Sequence, residues 1–328
     1  MARFAPRRIR PVAAVAVALV ALAASVTPPA LAGRAQPDPT IVAVGDIACQ
    51  SFSQGDGNGA CRSDEIADLI RRLDPTRFLA LGDLQYNNGT LGEFMKVWDV
   101  QFGDLKPITL PTTGNHEYGT AGAADYYTYW GARSAPGLGY YSVNLGSWHL
   151  VSLNSDICGD PPGCGPGTPQ YEWLKADLRA NRGVACTLAF QHHPRWDWRP
   201  WEKWVDEDGT TQNGGSEVKP YIDMVKLMDA NGVDVLLAGH NHLYQRWAPQ
   251  DGSGNVDPNG IREFTVGTGG RSLYPFGPGD QPANLRVTQN KAFGVLQMTL
   301  HPASYDFRWV SLPGEPAFSD AGSGIACS

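Results

Sequence analysis

The feature that most constrains this chain is a series of short apolar runs that lead directly into residues able to bind metals. The runs have the length and composition of buried strands: TIVAVG (40–45), RFLALG (77–82), PITLPTTG (107–114), SWHLVSLN (147–154), CTLAFQ (186–191) and VDVLLAG (233–239). Five of the six are followed at once by such a residue: Asp46, Asp83, Asn115, His192 and His240. Because loops at strand ends are where sheet proteins assemble sites, we expect these side chains to lie together.

Amphipathic helical patterns lie between several of these runs. In RSDEIADLIRRL, Ser63 is a candidate N-cap, and Ile66, Leu69, Ile70 and Leu73 form one apolar face. Further helices are predicted in TPQYEWLKADLRAN and VKPYIDMVKLMDANG. Beyond residue 240 strands dominate, in HLYQRW, IREFTVG, FGVLQMTL and YDFRWVSL. This order predicts an α/β fold, a four-layer αββα sandwich in which helices cover two mixed β-sheets.

The N-terminal segment has the organisation of a secretory signal peptide. Four arginines precede the apolar run PVAAVAVALVALAA, and the small-residue site Ala30-Leu31-Ala32 follows it. The run has about 14 residues, whereas a membrane span needs roughly 20. We therefore expect residues 1–32 to be cleaved and residues 33–328 to form a single domain, with two domains as an open alternative. The expected location is outside the cell or in a periplasmic or cell-wall space, by an ordinary signal rather than twin-arginine export.

The charge of the chain bears on its partners. The formal net charge is −7, and the predicted cleavage removes four arginines and no acidic residue, so the mature chain is more acidic still. An acidic surface argues against nucleic acid or an anionic membrane as the main partner.

Six cysteines in an exported chain predict three disulfides. Cys49 with Cys61 and Cys158 with Cys164 would close short loops, which leaves Cys186 for Cys327. Other pairings stay open at this point. A cysteine metal cluster is disfavoured because the chain contains no CxxC pair.

The five candidate ligands lie in an ordered series of motifs. VGDIAC, LGDLQY, TGNHEYG, FQHHPRW and AGHNHLYQRW follow one another between residues 45 and 246. This series is similar to the signature of calcineurin-like metallophosphoesterases. That family has a histidine two residues after the first aspartate, where this chain has Ala48. Its second motif instead has Tyr86 three residues after Asp83, which resembles purple acid phosphatases, in particular a small, single-domain, secreted bacterial type.

The resemblance implies a dinuclear metal centre with one shared ligand. It implies Asp46, Asp83, Tyr86 and His242 around one metal, and Asp83, Asn115, His192 and His240 around the other. The phenolate and carboxylates are hard donors that favour Fe(III), while imidazoles and an amide suit a divalent ion, for which zinc, iron and manganese stay open. Taken singly, each residue has a plainer interpretation as a turn residue or a packed aromatic. It is the occurrence of all five motifs in this order that favours the interpretation of these residues as metal ligands.

The resemblance also implies an activity. It implies a secreted enzyme that hydrolyses phosphate monoesters by in-line attack of a hydroxide held by the two metals. His116 follows Asn115 and would bind the phosphate and help to protonate the leaving group. Purple acid phosphatases usually have aspartate after this histidine, whereas this chain has Glu117, so the support of His116 is expected to differ. A phosphodiesterase or nucleotidase on the same metals is one alternative, and a non-catalytic phosphate- or metal-binding protein is another.

The segment after the fourth motif is the candidate substrate-binding region. HPRWDWRPWEKW contains four tryptophans together with Arg195 and Arg199, and His193 lies beside His192. An aromatic and cationic wall of this kind would bind a small phosphate ester. A tryptophan-rich loop packed as structural cover is an equally open alternative. The roles of His192 and His193 are also open to exchange.

Overall fold

All six apolar runs form strands in the structure, a computed structural model of the chain. It describes Met1 and residues 37–50, 61–159, 163–198, 203–205, 211–213, 221–276 and 280–328. Residues 2–36, which hold most of the predicted signal peptide, and Arg199 lie outside this description. The chain divides into the units Met1–Pro37 and Asp38–Ser328, and every described strand and helix belongs to the second unit.

The strands follow one another along the whole of this unit. In chain order they are β1 (Thr40–Val44), β2 (Arg77–Leu81), β3 (Thr109–Thr112), β4 (Tyr141–Leu145), β5 (Trp148–Ser152), β6 (Cys186–Phe190), β7 (Lys203–Val205), β8 (Thr211–Asn213), β9 (Val235–Ala238), β10 (Tyr244–Trp247), β11 (Arg262–Val266), β12 (Leu285–Gln289), β13 (Gly294–His301), β14 (Ser304–Ser311) and β15 (Ala321–Ala326).

Two mixed sheets contain most of these strands. One has the order β15-β14-β13-β1-β2-β3, the other has the order β12-β10-β11-β9-β6-β5-β4, and β7 pairs with β8 separately. In the first sheet β1, β2 and β3 are parallel, and in the second β5, β6, β9 and β11 are parallel. The remaining pairs are antiparallel. Parallel strands end at the same edge of their sheet, which is the condition for gathering the loops that follow them.

The helices are short and lie between the strands. They are α1 (Ser63–Leu73), α2 (Leu91–Glu93), α3 (Asp99–Phe102), α4 (Ala124–Trp130), α5 (Pro169–Ala180) and α6 (Ile222–Asp229), with a π-helical turn over Phe94–Trp98 that joins α2 to α3. Helix α1 buries Ile66, Leu69 and Ile70 of the predicted face and half-buries Leu73. Its N-cap is Arg62, and the Ser63 hydroxyl donates to Gln101 Oε1 at 2.8 Å. The capping role predicted for Ser63 is therefore wrong, because a partner distant in sequence takes its hydroxyl. None of the described helices combines the length and apolar character needed to cross a bilayer.

The core has two parts that define the layers. Val42 and Leu79 of the first sheet share one apolar cluster with Phe190 of the second sheet and with Ile66 of α1. A second cluster joins Val151, on the other face of the second sheet, to side chains of α5 and α6. Each large side chain buried in this way contributes about 1.5–3 kcal/mol. The predicted four-layer αββα sandwich with two mixed sheets is confirmed.

The disulfides follow the expected pairing. Cys49 bonds Cys61, Cys158 bonds Cys164, and Cys186 bonds Cys327. The third bond ties the start of β6 to the end of β15, and so connects the two sheets covalently.

Candidate metal centre

Parallel strands deliver the candidate ligands to one place. Asp46 follows β1, Asp83 follows β2 and Asn115 lies just beyond β3, while His192 and His240 follow β6 and β9 of the second sheet. Because the two sheets pack face to face, loops from both meet at one edge of the sandwich. The structure thus brings together all five residues that follow the apolar runs.

The backbone turns sharply at three of these positions. Asp46, Asp83 and His240 have positive φ values of 61°, 47° and 69°. Non-glycine residues seldom adopt this left-handed conformation, and such strain is found where a site requires it. Close approach also demands glycine beside Asn115, because a Cβ on Gly114 would lie 2.2 Å from Asp83 Oδ1.

One set of donor atoms surrounds the Tyr86 hydroxyl. This hydroxyl lies 3.1 Å from Asp46 Oδ1, 3.1 Å from Asp83 Oδ2 and 2.9 Å from His242 Nε2. His242 Nε2 is in turn 3.2 Å from Asp46 Oδ1. The four side chains predicted around the first metal therefore converge.

A second set of donor atoms surrounds the Asn115 carbonyl oxygen. Asn115 Oδ1 lies 3.1 Å from His192 Nε2 and 3.1 Å from His240 Nδ1, and these two nitrogens are 3.3 Å apart. His192 Nε2 also approaches Asp83 Oδ2 at 3.3 Å. The same Asp83 oxygen thus belongs to both sets.

These donors fit two metal ions. Ligand bonds of about 2.0–2.1 Å place neighbouring donor atoms roughly 3 Å apart, which is the spacing seen in both sets. His192 Nδ1 donates to Leu81 O at 2.9 Å and His242 Nδ1 donates to Ser272 O at 2.7 Å. Nε2 is therefore the nitrogen of each ring that faces the site, and it can bind a metal once it carries no proton. Asp46, Asp83 and His192 offer ligand atoms within 4.8 Å of one another, and so do His192, His193 and His240.

The buried acidic groups of the site favour positive charge beside them. Burial opposes the charges of Asp83 and His192, yet their mutual attraction prevails, holding the pKa of Asp83 well below its usual range and raising the pKa of His192 to about 10. Burial raises the pKa of Tyr86 well above its ordinary value, and the carboxylates of Asp46 and Asp83 add to this shift. A phenolate at this position therefore needs positive charge beside it.

His116 lies next to the shared ligand. Its Nε2 is 3.8 Å from Asp83 Oδ2, and its Nδ1 donates to the backbone oxygen of Asn87. The imidazole packs on the Tyr86 ring at 4.2 Å, and its side chain is 28 % exposed. A substrate at the centre would have access to its Nε2.

Glu117 supports the ligand loops rather than His116. Its carboxylate is fully buried and accepts backbone N–H groups from Gly114 at 2.7 Å, Asp83 at 3.0 Å, Leu84 at 2.9 Å and Gln85 at 3.2 Å. Burial, followed by the charge of Asp83, raises its pKa to about 8. The loops carrying Asp83 and Asn115 are thereby joined through one side chain.

The three candidate substrate-binding residues have different environments. The His193 ring lies 4.3 Å from that of His240, and its Nδ1 is 3.0 Å from Ser155 Oγ. Arg195 is only 3 % exposed, and its backbone N–H donates to the buried carboxylate of Glu263 at 2.9 Å. Arg199 lies outside the described residues. Trp196 packs in the second core cluster, which agrees, for this residue, with the alternative that the tryptophan-rich loop is structural cover.

Two groups of neighbouring residues escaped the sequence analysis. Ser155 and Asp156 follow β5, the one apolar run to which no ligand was assigned, and burial raises the pKa of Asp156 to about 7. Arg271 and Tyr274 follow β11, and they contact Tyr86 and His242. Both groups follow strands, and this position in the sequence could have identified them as candidate site residues.

Comparisons with known proteins agree with this geometry. The family model described as calcineurin-like phosphoesterase matches residues 39–244. Purple acid phosphatase 21 of Arabidopsis thaliana is 28 % identical over 221 residues, which is 62 % of this chain and 46 % of that protein. The chain therefore spans less than half the length of this relative.

Solved structures share the fold. The purple acid phosphatase PPD1 of yellow lupin superposes with a TM-score of 0.62 at 19 % identity, covering 88 % of this chain and 53 % of that one. GAP50 of Plasmodium, described as the anchor in the inner membrane complex, superposes with a TM-score of 0.59 at 11 % identity. The match covers 89 % of this chain and 90 % of that one. The family model covers more than half of the chain and includes every proposed metal ligand. The expected resemblance is therefore confirmed, and the chain belongs to the calcineurin-like phosphoesterase family.

Proposed function

We propose that this protein is a two-metal phosphoesterase that hydrolyses phosphate monoesters. The observation that carries the proposal is that two sets of donor atoms share Asp83 Oδ2 while His116 lies 3.8 Å from the same oxygen. A bridging carboxylate between two cation sites is the arrangement by which a metal pair binds one phosphoryl group.

The proposed ligand sets are those implied by the sequence. Asp46, Tyr86 and His242 would hold one metal, Asn115, His192 and His240 would hold the other, and Asp83 would belong to both. When bound, two such ions supply positive charge for the phosphate and a water of lowered pKa for attack on phosphorus. The phenol and carboxylates favour Fe(III) in the first position, and zinc, iron or manganese would suit the second.

His116 has the geometry of a phosphate-binding and proton-donating group. The backbone oxygen of Asn87 accepts from its Nδ1, which fixes the ring and directs Nε2 to the centre. When the ring carries a proton on both nitrogens, Nε2–H would donate to a phosphate oxygen and give that proton to the departing alcohol, which leaves a neutral imidazole. His193, on the side of His240, would contact the substrate from the opposite direction.

Export to an oxidising compartment is part of the proposal. Three disulfides support it, because such bonds persist outside the cytosol, and the arginine-led apolar segment before Ala32 supports cleavage of a signal. The proposal also treats residues 33–328 as one catalytic domain.

A non-catalytic binding protein is the second candidate, since this fold also occurs in a protein titled an anchor. The complete donor set and the accessible His116 favour the enzyme, because binding alone needs no proton donor. The test is hydrolysis of 4-nitrophenyl phosphate and of bis(4-nitrophenyl) phosphate by protein loaded with iron and zinc. Faster turnover of the monoester supports the proposal, faster turnover of the diester favours a phosphodiesterase, and no turnover of either favours the binding protein.

A further inference from the structure

The segment from Gly267 to Tyr274, which follows β11, lies beyond the residues matched by the family model. We infer that this 267–274 segment is a further structural part of the metal centre, and that Arg271 is a positioning residue for Tyr86. The inference rests on the proposed ligand role of Tyr86.

The segment first packs on the loop that carries Asp46. The N–H of Gly269 donates to Gly45 O at 3.0 Å, and the N–H of Arg271 donates to Asp46 O at 3.1 Å. A Cβ on Gly267 would lie 2.0 Å from Asn241 O and 2.7 Å from Asp46 Oδ2. Only glycine therefore allows the segment to pass this close to a ligand.

The segment then supports His242. Ser272 O accepts from His242 Nδ1 at 2.7 Å, and the N–H of Tyr274 donates to His242 O at 2.9 Å. The ring of Tyr274 stacks on the imidazole with centroids 4.1 Å apart and planes 11° from parallel. The imidazole is thus fixed by a hydrogen bond at Nδ1 and by stacking over its face.

Arg271 completes these contacts at Tyr86. Its guanidinium carbon lies 4.6 Å from the centre of the Tyr86 ring, and its Nη2 donates to Asn87 Oδ1 at 3.2 Å. Arg271 is 3 % exposed, so little water screens its charge. A buried cation over the ring lowers the energy of the phenol electrons and holds the ring toward the donor cluster.

The 267–274 segment contacts the three ligands that belong to one proposed metal only. Asp46, Tyr86 and His242 each touch the 267–274 segment. The Nδ1 of His192, which belongs to the other metal, is instead held by Leu81 O. The segment is therefore expected to act on one metal and to leave the other unaffected.

The test compares Arg271→Gln and Arg271→Lys with Arg262→Gln in the full disulfide-bonded chain. Arg262 is a matched control because its Nε donates to another buried tyrosine, Tyr305, at 3.1 Å, outside the metal centre. Each protein is loaded with iron, oxidised and examined for its visible absorption band, and iron release to a chelator is followed by elemental analysis. Melting of the metal-free proteins establishes that each is folded.

Arg271→Gln is expected to move the absorption band to longer wavelength, because phenolate electrons without the cation need less energy to transfer to iron. Iron release is expected to be about 10-fold faster, with Arg271→Lys intermediate and Arg262→Gln like wild type. An unchanged band and release rate in folded Arg271→Gln would overturn the inference and leave the proposed function standing. Iron-loaded wild type without a visible band would instead overturn the ligand role of Tyr86, and the inference with it.

Discussion

Asp46, Tyr86 and His242 are at most 4 % exposed, whereas in the second donor set His192 is buried, Asn115 is exposed and His240 is half-buried. We call these the closed half and the open half of the centre, joined by Asp83. The closed half is covered by the 267–274 segment, while the open half has Asn115 and His240 at the surface of the described residues. One metal would therefore be held by a preorganised, buried set of two carboxylates, a phenolate and an imidazole, and the other would be the one that solvent and substrate reach first.

Replacement of the shared ligand, Asp83, is expected to have the largest effect. Asp83→Ala is expected to empty both halves, because its Oδ2 lies in both donor sets. Two bound metals would stabilise the transition state by several kcal/mol, so turnover of a phosphomonoester should fall by about 10³-fold or more. Elemental analysis and rate are measured on the same samples. A variant that keeps one metal at full occupancy would show that Asp83 is not shared.

Removal of His116 is expected to leave both donor sets intact. His116→Ala is expected to retain both metals and to lower kcat by about 10²- to 10⁴-fold, because the residue contacts the site without belonging to either donor set. Metal content and kcat are measured together. Loss of the metals along with activity would contradict the separation of ligand from proton donor.

Tyr86 separates the two halves most directly. Tyr86→Phe removes one donor from the closed half and none from the open half. Iron-loaded wild type is expected to be coloured by phenolate-to-iron charge transfer, and the folded variant is expected to be bleached and to bind this metal about 10-fold more weakly or worse. The ion of the open half should be retained. A Tyr86→Phe variant with its colour intact would assign the band to another residue.

A smaller effect is expected at Glu263, which holds the segment that follows His192. Its carboxylate accepts the N–H groups of Arg195 at 2.9 Å and Trp196 at 3.2 Å, a few residues after His192. Burial, opposed by these hydrogen bonds, raises its pKa from 4.5 to about 8. The protonated carboxyl therefore stabilises the fold below the unfolded pKa, and this stability is lost as the pH rises through 8.

Glu263→Gln stays neutral and should remove this part of the pH dependence. At pH 5 the metal-free variant and wild type are expected to have similar free energies of unfolding, and at pH 8 the variant should be more stable by at least about 1 kcal/mol. Urea denaturation at both pH values measures the difference. Stability curves that stay parallel from pH 5 to pH 8 would show that Glu263 is ionised in the folded protein.

Local patterns were enough to predict the framework. Apolar runs such as TIVAVG and VDVLLAG became the buried strands β1 and β9, and the residues directly after them came together. Strand burial and chain direction are local properties, so a residue at the end of a parallel strand is already placed at the sheet edge. The disulfide pairing suggested by short loops was also confirmed.

Other features depended on partners far away in the chain. Ser63 follows a capping pattern, yet its hydroxyl donates to Gln101, which becomes a neighbour only when α1 and α3 pack together. The sequence predicted only that Glu117, in place of aspartate, changes the support of His116, and it gave no sign that this carboxylate accepts four backbone N–H groups of two ligand loops. A short motif does not contain the positions of those donors.

The order of the site residues along the strands, their chemical types and their family can be read from the amino-acid sequence. It takes the folded chain to show that Asp83 reaches both donor sets and that Arg271, 185 positions from Tyr86 by their residue numbers, covers its ring. The physical reason is that periodicity and strand-end position follow from neighbouring residues, whereas the contacts that enclose one metal half arise from close packing of two sheets whose loops are remote along the chain.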